Sequence, residues 1–435
     1  MAEMTVTNPR VDPKGASTVR TDPCTPVVDF SKLKADFPLL SRTVHGHRVV
    51  YLDSAASSQH PQCVLDAMDH YYQTTHANVH RGVYTLAEEA DRLYDAARVA
   101  VGRFIGAPDP EHEVIFTKNA TESINLVAAT WARSNLGRGD VVLLTDMEHH
   151  ANIVPWLMLA EELGIELRWI GIDEEYRLDL SDLDRLLDGV KLVGCTTMSN
   201  VLGTITPFAR IAEAAHRAGA LVLADGAQSV PHLPTDVGRL GCDFLAFSAH
   251  KMLGPTGIGV LWGRRELLEE MPPFMGGGGM IRDVRHDGFT PNVLPWKFEA
   301  GTPPIAEAVG LAAAVAYLEE LGLDAVRAHE VELTAYAQSI FAERFGDDLR
   351  IFGPPGTAER GGVLSLAYRD IHPHDLAQVL DQAGVCVRAG HHCAKPLMRR
   401  MGVNATARAS VYVYNDESDV DVLADAIAEA GTLFA

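Results

Sequence analysis

Apolar and polar residues along the chain follow two alternating spacings, one typical of helices and the other of short buried strands. Between 86 and 105, apolar residues recur every three or four positions, as they do on one face of a helix. Short apolar runs predict strands at 113–117, 140–145, 166–170, 191–198, 220–225, 243–248 and 257–262. Helices are predicted between them, at 61–76, 86–105, 121–135, 152–163, 179–187 and 208–218. This alternation indicates an α/β protein with a mostly parallel sheet covered on both faces.

The pattern changes at 271–301, where many Gly and Pro residues predict a loop-rich connection. After it, helices at 305–320 and 324–345 precede a smaller α/β unit, with strands at 349–352, 362–368, 385–388 and 407–411 and a helix from 417. We therefore expect a large domain over 29–304, whose N-terminal segment packs on a small domain over 305–435. Residues 1–28 lack periodicity and contain several Pro, which predicts a disordered extension.

Charge and cysteine content exclude several classes of protein. The chain has 37 Lys and Arg residues against 58 Asp and Glu, a net charge of −21, which argues against nucleic-acid binding. The longest near-apolar run, 308–318, is shorter than the roughly 20 residues of a membrane span. Six cysteines without a C-x-x-C pair, and no apolar signal core near the N-terminus, predict a cytoplasmic protein with reduced thiols. The adjacent histidines at 149–150 and 391–392 have no completing ligands at metal-site spacing, so we expect no metal site.

Polar residues at the ends of predicted strands indicate the chemistry. Asp225 ends one strand, Lys251 follows the next, and Thr121 opens the helix after the first strand. In an open α/β sheet, ligands bind beyond the carboxyl ends of the strands, so these residues should meet in one pocket. A lysine amine can bind the aldehyde of pyridoxal phosphate, a carboxylate can pair with its pyridine nitrogen, and a helix N-terminus suits its phosphate. The three residues together predict a pyridoxal-phosphate site.

Six short motifs resemble those of a known family. They are A-D-G-A-Q-S at 224–229, S-A-H-K at 248–251, N-V-H-R-G at 78–82, M-E-H-H-A-N-I-V-P-W at 147–156, F-E-A-G-T-P at 298–303 and R-A-G-H-H-C-A-K-P at 388–396. Together they resemble the SUF-type (group II) cysteine desulfurases, in the class V branch of fold-type I pyridoxal-phosphate enzymes. The resemblance runs from about Phe30 to the C-terminus. It implies the fold-type I architecture, a large mixed sheet flanked by helices plus a smaller C-terminal α/β domain.

The resemblance also implies roles for the matching residues. Lys251 would bind the cofactor and remove the substrate α-proton, and His149 would stack on the cofactor ring. The implied cofactor-binding residues are Lys251, Asp225, Gln228, His149, Thr121, Ser248, His250 and Thr302, the last reaching the site of the neighbouring subunit in a homodimer. The implied substrate-binding residues are Asn200 and Arg408, on the carboxylate, with Arg388, His80 and Arg81 as further active-site residues.

Cys393 is the predicted nucleophile. It lies in a non-periodic segment after Gly390, with His391, His392 and Lys395 beside it, and cationic neighbours favour a reactive thiolate. Cys195, Cys242 and Cys386 lie in or beside apolar strands, where a packing role is the simpler interpretation.

The predicted function is therefore conversion of L-cysteine to L-alanine, with a persulfide on Cys393 that passes to a sulfur-acceptor protein for iron–sulfur cluster assembly. Two alternatives stay open from the sequence. One is a sister enzyme of the same branch, such as a selenocysteine lyase, another lyase or an epimerase, which need not require a thiol at position 393. The other is a non-catalytic assembly scaffold, against which the presence of Lys251, Asp225 and Cys393 argues.

Overall fold

The computed structural model describes residues 28–80 and 82–434 of the chain. The extension predicted at 1–28 lies outside these residues except for Val28, and so does Arg81. The described part begins with two 3-10 turns, Phe30–Asp36 and Pro38–Ser41. Three short strands follow: β1 (Thr43–Val44), β2 (His47–Arg48) and β3 (Val50–Tyr51).

A seven-stranded sheet forms the centre of the larger part. Its strands are β4 (Val114–Thr117), β5 (Val141–Thr145), β6 (Glu166–Ile170), β7 (Val190–Thr196), β8 (Leu221–Asp225), β9 (Phe244–Ser248) and β10 (Gly259–Gly263), in the order β4-β10-β9-β8-β7-β5-β6. Strand β10 is antiparallel to both neighbours, and all other neighbouring pairs are parallel. The predicted α/β class with a mostly parallel mixed sheet is therefore confirmed.

Helices cover both faces of this sheet. They are α1 (Gln62–Thr74), α2 (Thr85–Phe104), α3 (Pro110–Glu113), α4 (Ala120–Val127), α5 (Arg133–Asn135), α6 (Val154–Leu163), α7 (Leu183–Leu186), α8 (Phe208–Arg217), α9 (Val237–Leu240) and α10 (Arg265–Glu270). A π-helical turn at Ala128–Ala132 joins α4 to α5. Alternate side chains of β5 are buried on opposite faces of the sheet: Leu143 belongs to one apolar core, and Val142 and Leu144 belong to the other. Both faces therefore have to be shielded from water by helices.

The C-terminal part has its own sheet and core. Its helices are α11 (Ile305–Leu321), α12 (Leu323–Phe345), α13 (Pro373–Gln382), α14 (Lys395–Arg400) and α15 (Glu417–Leu433). A hairpin formed by β11 (Ile281–Arg285) and β12 (Gly288–Pro291) precedes these helices in the chain. The remaining strands are β13 (Leu349–Phe352), β14 (Val363–Tyr368), β15 (Val385–Cys386), β16 (Arg388–Gly390) and β17 (Thr406–Ser410). Strands β13, β14, β17 and β16 form an antiparallel sheet in that order.

Packing crosses the boundary expected at 304/305, whose position stays a prediction. Helix α11 packs on α1 and α2, and its buried residues belong to a core of the large sheet. Within α12, Val326 belongs to that core, whereas Leu333 belongs to the core of the small sheet. The N-terminal segment joins the small core through Val50, which pairs with Val385 of β15.

Two local predictions differ from the structure. The helix predicted at 179–187 is reduced to α7, because the Asp179 carboxylate accepts a hydrogen bond from the Ser181 amide and stabilises a turn instead. The connection at 271–301 contains the β11–β12 hairpin, so it is less irregular than its composition indicates. Among the residues described, no helix combines the length and apolarity needed to cross a bilayer.

Candidate active site

A cavity of about 190 Å³ opens at the carboxyl edge of the large sheet. We call it the strand-end cavity. Nine of the residues singled out in the sequence line it: Thr121, His149, Asn200, Asp225, Gln228, Ser248, His250, Lys251 and Arg388. They meet there because the strands β4, β7, β8 and β9 all end at this edge.

Lys251 and Asp225 are ionisable groups of opposite charge in this cavity, and the Asp225 carboxyl is buried. Burial lowers the pKa of the Lys251 amine to about 8, with Arg408 and Arg388 lowering it further and Asp225 opposing them. Burial raises the pKa of the Asp225 carboxyl, while a hydrogen bond from the Ala227 amide to Oδ1, 3.0 Å long, lowers it. The amine is thus closer to its neutral form at physiological pH than an exposed lysine would be.

The start of α4 forms one wall of the cavity. Asn119 caps the helix by accepting a hydrogen bond from the Glu122 amide (3.0 Å), and Ser248 Oγ accepts one from the Ala120 amide (2.9 Å). Strand β10 passes so close that a Cβ on Gly259 would lie 2.4 Å from the Cα of Asn119. The helix N-terminus therefore faces the cavity beside Thr121, an arrangement that suits an anion such as phosphate.

His149 is held as a neutral imidazole at the cavity wall. Its Nδ1 accepts a hydrogen bond from the Ala151 amide (3.1 Å), and burial lowers its pKa to about 3. A ring without charge can stack on an aromatic cofactor without desolvating an ion. Gln228, across the cavity, donates its Nε2 to the Ala55 carbonyl at 2.8 Å.

Glu148 anchors the turn that follows His149, a role for which no sequence signal exists beyond its place next to His149. It is fully buried and accepts hydrogen bonds from the Thr145 hydroxyl (2.7 Å), the Thr196 amide (2.9 Å) and Asn152 Nδ2 (2.7 Å). Burial raises its pKa to about 8 despite these donors. The short turn His150–Asn152 is thus fixed to the ends of β5 and β7.

Arg408, Asn200 and Asp53 form a second cluster next to the cavity. The Arg408 side chain is fully buried, donates Nη1 to the Asn200 carbonyl (2.8 Å) and Nη2 to Asp53 Oδ1 (3.0 Å), and leaves Nε–H without a partner. Burial raises the pKa of Asp53, and Arg408 opposes this. Sequence analysis missed Asp53, whose partner lies 355 residues away. The carboxylate-binding roles of Asn200 and Arg408 stay predictions.

The Asp53 carboxylate should orient the Arg408 guanidinium. We expect Asp53→Ala to raise KM for the carboxylate substrate about tenfold with little change in kcat, the effect of losing one hydrogen bond to a charged group. Asp53→Asn, whose amide oxygen can still accept from Nη2, should stay closer to the parent value. Steady-state kinetics of both variants would check this.

The control is Asp348→Ala, which breaks the exposed Asp348–Arg369 pair far from the cavity. An unchanged KM in Asp53→Ala would contradict the orienting role.

Cys393 contacts the strand-end cavity through Arg388. Arg388, which lines the cavity, donates Nη2 to Cys393 Sγ across 3.6 Å. The thiol is half-buried, unlike Cys195 and Cys242, which are fully buried and whose pKa values burial raises. Cys386 is half-buried beside β3, where burial also raises its pKa.

Thr302 and His80 lie elsewhere. They line a different cavity of about 610 Å³, together with Gly278, Trp296 and Glu299, which we call the Trp296 cavity. Within one chain the structure therefore does not bring Thr302 or His80 to Lys251. Within the residues that the structure describes, no group of three or more His, Cys, Asp or Glu side chains could hold a metal ion.

Comparison with known proteins gives the family. Residues 50–423 match the model of the aminotransferase class-V family. A protein of Streptomyces coelicolor named a probable cysteine desulfurase is 50% identical over 414 residues, 94% of this chain and 98% of the relative. A cysteine desulfurase of Haloferax volcanii is 48% identical, again over 94% of this chain and 98% of its own length.

Solved structures agree with these relatives. The apo cysteine desulfurase of Thermococcus onnurineus superposes with a TM-score of 0.87 at 41% identity, over 91% of this chain and 96% of that one. The cysteine desulfurase CsdA of Escherichia coli gives a TM-score of 0.86 at 38% identity, over 94% and 99%. The fold-type I architecture is thereby confirmed, and the chain belongs to the class-V aminotransferase family, in its cysteine desulfurase branch.

Proposed function

We propose that this protein is a pyridoxal-phosphate-dependent cysteine desulfurase that converts L-cysteine to L-alanine and carries the released sulfur as a persulfide on Cys393. The observation that carries the proposal is the position of Cys393, whose thiol contacts Arg388, a residue that lines the same cavity as Lys251 and Asp225. Cysteine desulfurases at 48–50% identity over nearly the whole chain support the activity.

The strand-end cavity fits pyridoxal phosphate by the chemistry of its donors. Lys251 would bind the aldehyde, Asp225 would face the pyridine nitrogen, and the start of α4 with Thr121, Ser248 and His250 would hold the phosphate. His149 would cover one ring face and Gln228 would contact the ring hydroxyl. Bound there, the cofactor would supply an electron sink for the charge left when the substrate α-proton is removed.

The side chains of this chain would perform the remaining steps. Arg408, through its unpartnered Nε–H, and Asn200 would bind the substrate carboxylate. Lys251, with its lowered pKa, would take the α-proton. The Cys393 thiolate would then attack the substrate sulfur, so that a sulfur–sulfur bond forms while the sulfur–Cβ bond breaks. Cys393 loses its thiol hydrogen in this step, and Cβ of the substrate gains one hydrogen as it becomes the methyl group of alanine.

A homodimer would complete the site. Thr302 and His80 line the Trp296 cavity, away from Lys251 of the same chain, and Val83, close to His80 in sequence, is 96% exposed. Two further apolar side chains, Val284 and Phe289, are exposed on the β11–β12 hairpin. A second copy that covers these residues would bring Thr302 to the cofactor phosphate, as the family resemblance implies.

The destination of the sulfur is inferred from the same resemblance. We propose that a sulfur-acceptor protein of a SUF-type system takes the persulfide sulfur for iron–sulfur cluster assembly in the cytoplasm. The partial exposure of Cys393 supports transfer to a partner. An acceptor needs access to the thiol, which a fully buried cysteine would not give.

One assay tests the function against its rivals. Purified protein with L-cysteine and a thiol reductant should give alanine and sulfide in equal amounts, and L-selenocysteine is tested in parallel. Alanine from selenocysteine only would favour a selenocysteine lyase, and isomerised cysteine without alanine would favour an epimerase. No turnover of either substrate by cofactor-loaded protein would favour a scaffold and overturn the proposal.

A further inference from the structure

The backbone of the Cys393 loop is strained. This loop, residues 391–394, joins β16 to α14, and two consecutive residues in it are left-handed, His392 at φ 49° and Cys393 at φ 55°. Neither is glycine, so each conformation is unfavourable by itself. Such conformations persist only where surrounding contacts hold them. The contacts of the loop should therefore show what keeps the thiol in place.

One side of the loop is held through His392. Asn200 donates Nδ2 to the His392 carbonyl (2.8 Å), and the His392 ring contacts the Thr406 hydroxyl through Nε2 (2.9 Å). These contacts fix residue 392 to the wall of the cavity and to β17. They do not reach Cys393 or the residues after it.

His150 holds the other side of the loop. Its backbone amide donates to the Cys393 carbonyl (2.7 Å), and its ring Nε2 accepts from the Lys395 amide (3.0 Å). Lys395 is the first residue of α14, whose N-cap residue Ala394 makes no side-chain capping bond. The imidazole of His150 thus supplies the cap that α14 lacks, from a different part of the fold.

The ring of His150 must be neutral to do this, since a protonated Nε2 cannot accept. Burial lowers its pKa, and the neighbouring His391 and Lys395 lower it further. His391, whose ring lies 5.7 Å away, holds the same loop by accepting from the Cys393 amide through Nδ1 (3.2 Å). Both backbone polar groups of Cys393 are therefore bound by histidines.

We propose that His150 is a positioning residue that clamps the Cys393 loop in its left-handed conformation and so aims the thiol into the cavity. The clamp is rigid on its own side, because the turn His150–Asn152 is anchored by buried Glu148. It is weak on the other side, with one hydrogen bond to the loop and one to Lys395 at the start of α14. Opening these bonds would free the loop to present Cys393 outward. The inference rests on the proposed role of Cys393 as the sulfur carrier.

The test uses the cofactor-loaded full chain with His150→Phe and His150→Gln. Phenylalanine keeps a ring but has no acceptor, whereas the glutamine oxygen can accept from the Lys395 amide. We expect His150→Phe to lower the hydrogen-exchange protection of the Lys395 amide and kcat about tenfold each, the effect of one lost hydrogen bond, with KM within about twofold. Alkylation of Cys393 by iodoacetamide should become faster. His150→Gln should restore most of the parent values.

The matched control is His372→Phe. Like His150, His372 accepts a hydrogen bond from a backbone amide at the start of a helix. The donor is the amide of His374, and the helix is α13, away from this loop. It should leave kcat and the alkylation rate unchanged.

Two outcomes would overturn the clamp. The first is parent-like exchange and turnover in His150→Phe; the second is reduced turnover with unchanged exchange at 393–395, which would point to His149 instead. Failure of the proposed function is separate: it would appear as full turnover in a protein that lacks the Cys393 thiol.

Discussion

Cys393→Ala is expected to lose sulfide and alanine production from L-cysteine by about a thousandfold or more, because the Cys393 thiol is the proposed acceptor of the substrate sulfur. The cofactor should still bind, since the residues of the strand-end cavity that would contact it are untouched. The visible absorbance of the bound cofactor should therefore match that of the parent protein. Assays of alanine and sulfide, run on samples matched for that absorbance, would check this.

The control is Cys63→Ala. Cys63 is exposed on α1, away from the cavity, so this variant should keep full activity. Sulfide release at the parent rate by Cys393→Ala would show that the thiol is not the sulfur carrier, and the proposed mechanism would be wrong.

Lys251→Ala should lose both turnover and the covalent attachment of the cofactor. The buried Lys251 amine, with a pKa lowered to about 8, is the group proposed to bind the cofactor aldehyde and to take the α-proton. Loss of a proton-transfer group alone typically costs about 10²–10⁴-fold in rate, and loss of the attachment adds to this. The absorbance of the covalently bound cofactor should disappear, and alanine formation should fall by about a thousandfold or more.

Lys251→Arg tests whether a positive charge at this position is sufficient, or whether the amine itself is required. The guanidinium keeps a positive charge beside Asp225 but remains protonated, so it should restore neither attachment nor turnover. Lys191→Ala, an exposed position on β7, should behave as the parent protein. Turnover of Lys251→Ala within tenfold of the parent would exclude the proposed role.

The strand-end cavity was predictable because it follows from topology. Asp225 ends β8 and Lys251 follows β9, and parallel strands have their carboxyl ends at one edge of the sheet. Thr121 was predictable for the same reason, since it opens the helix after β4. No distance information was needed to expect these residues together.

The supporting residues were not predictable in this way. Asp53 pairs with Arg408 because β3 brings the N-terminal segment alongside the small sheet, a contact between opposite ends of the chain. Glu148 looks like any charged residue before two histidines, and only its burial among Thr145, Asn152 and Thr196 reveals its function. Thr302 and His80 looked like members of one site, yet within one chain they line a separate cavity.

The sequence by itself determined the α/β class and the cofactor chemistry, and it predicted the reactive groups, because spacing and residue type are local properties. Tertiary structure alone decided that α11 packs on the helices of the large sheet and which carboxylate holds Arg408. It also decided how the Cys393 loop is held, by a histidine about 240 residues earlier in the chain. Such pairings depend on which elements pack together, and one sequence does not encode them in any local pattern.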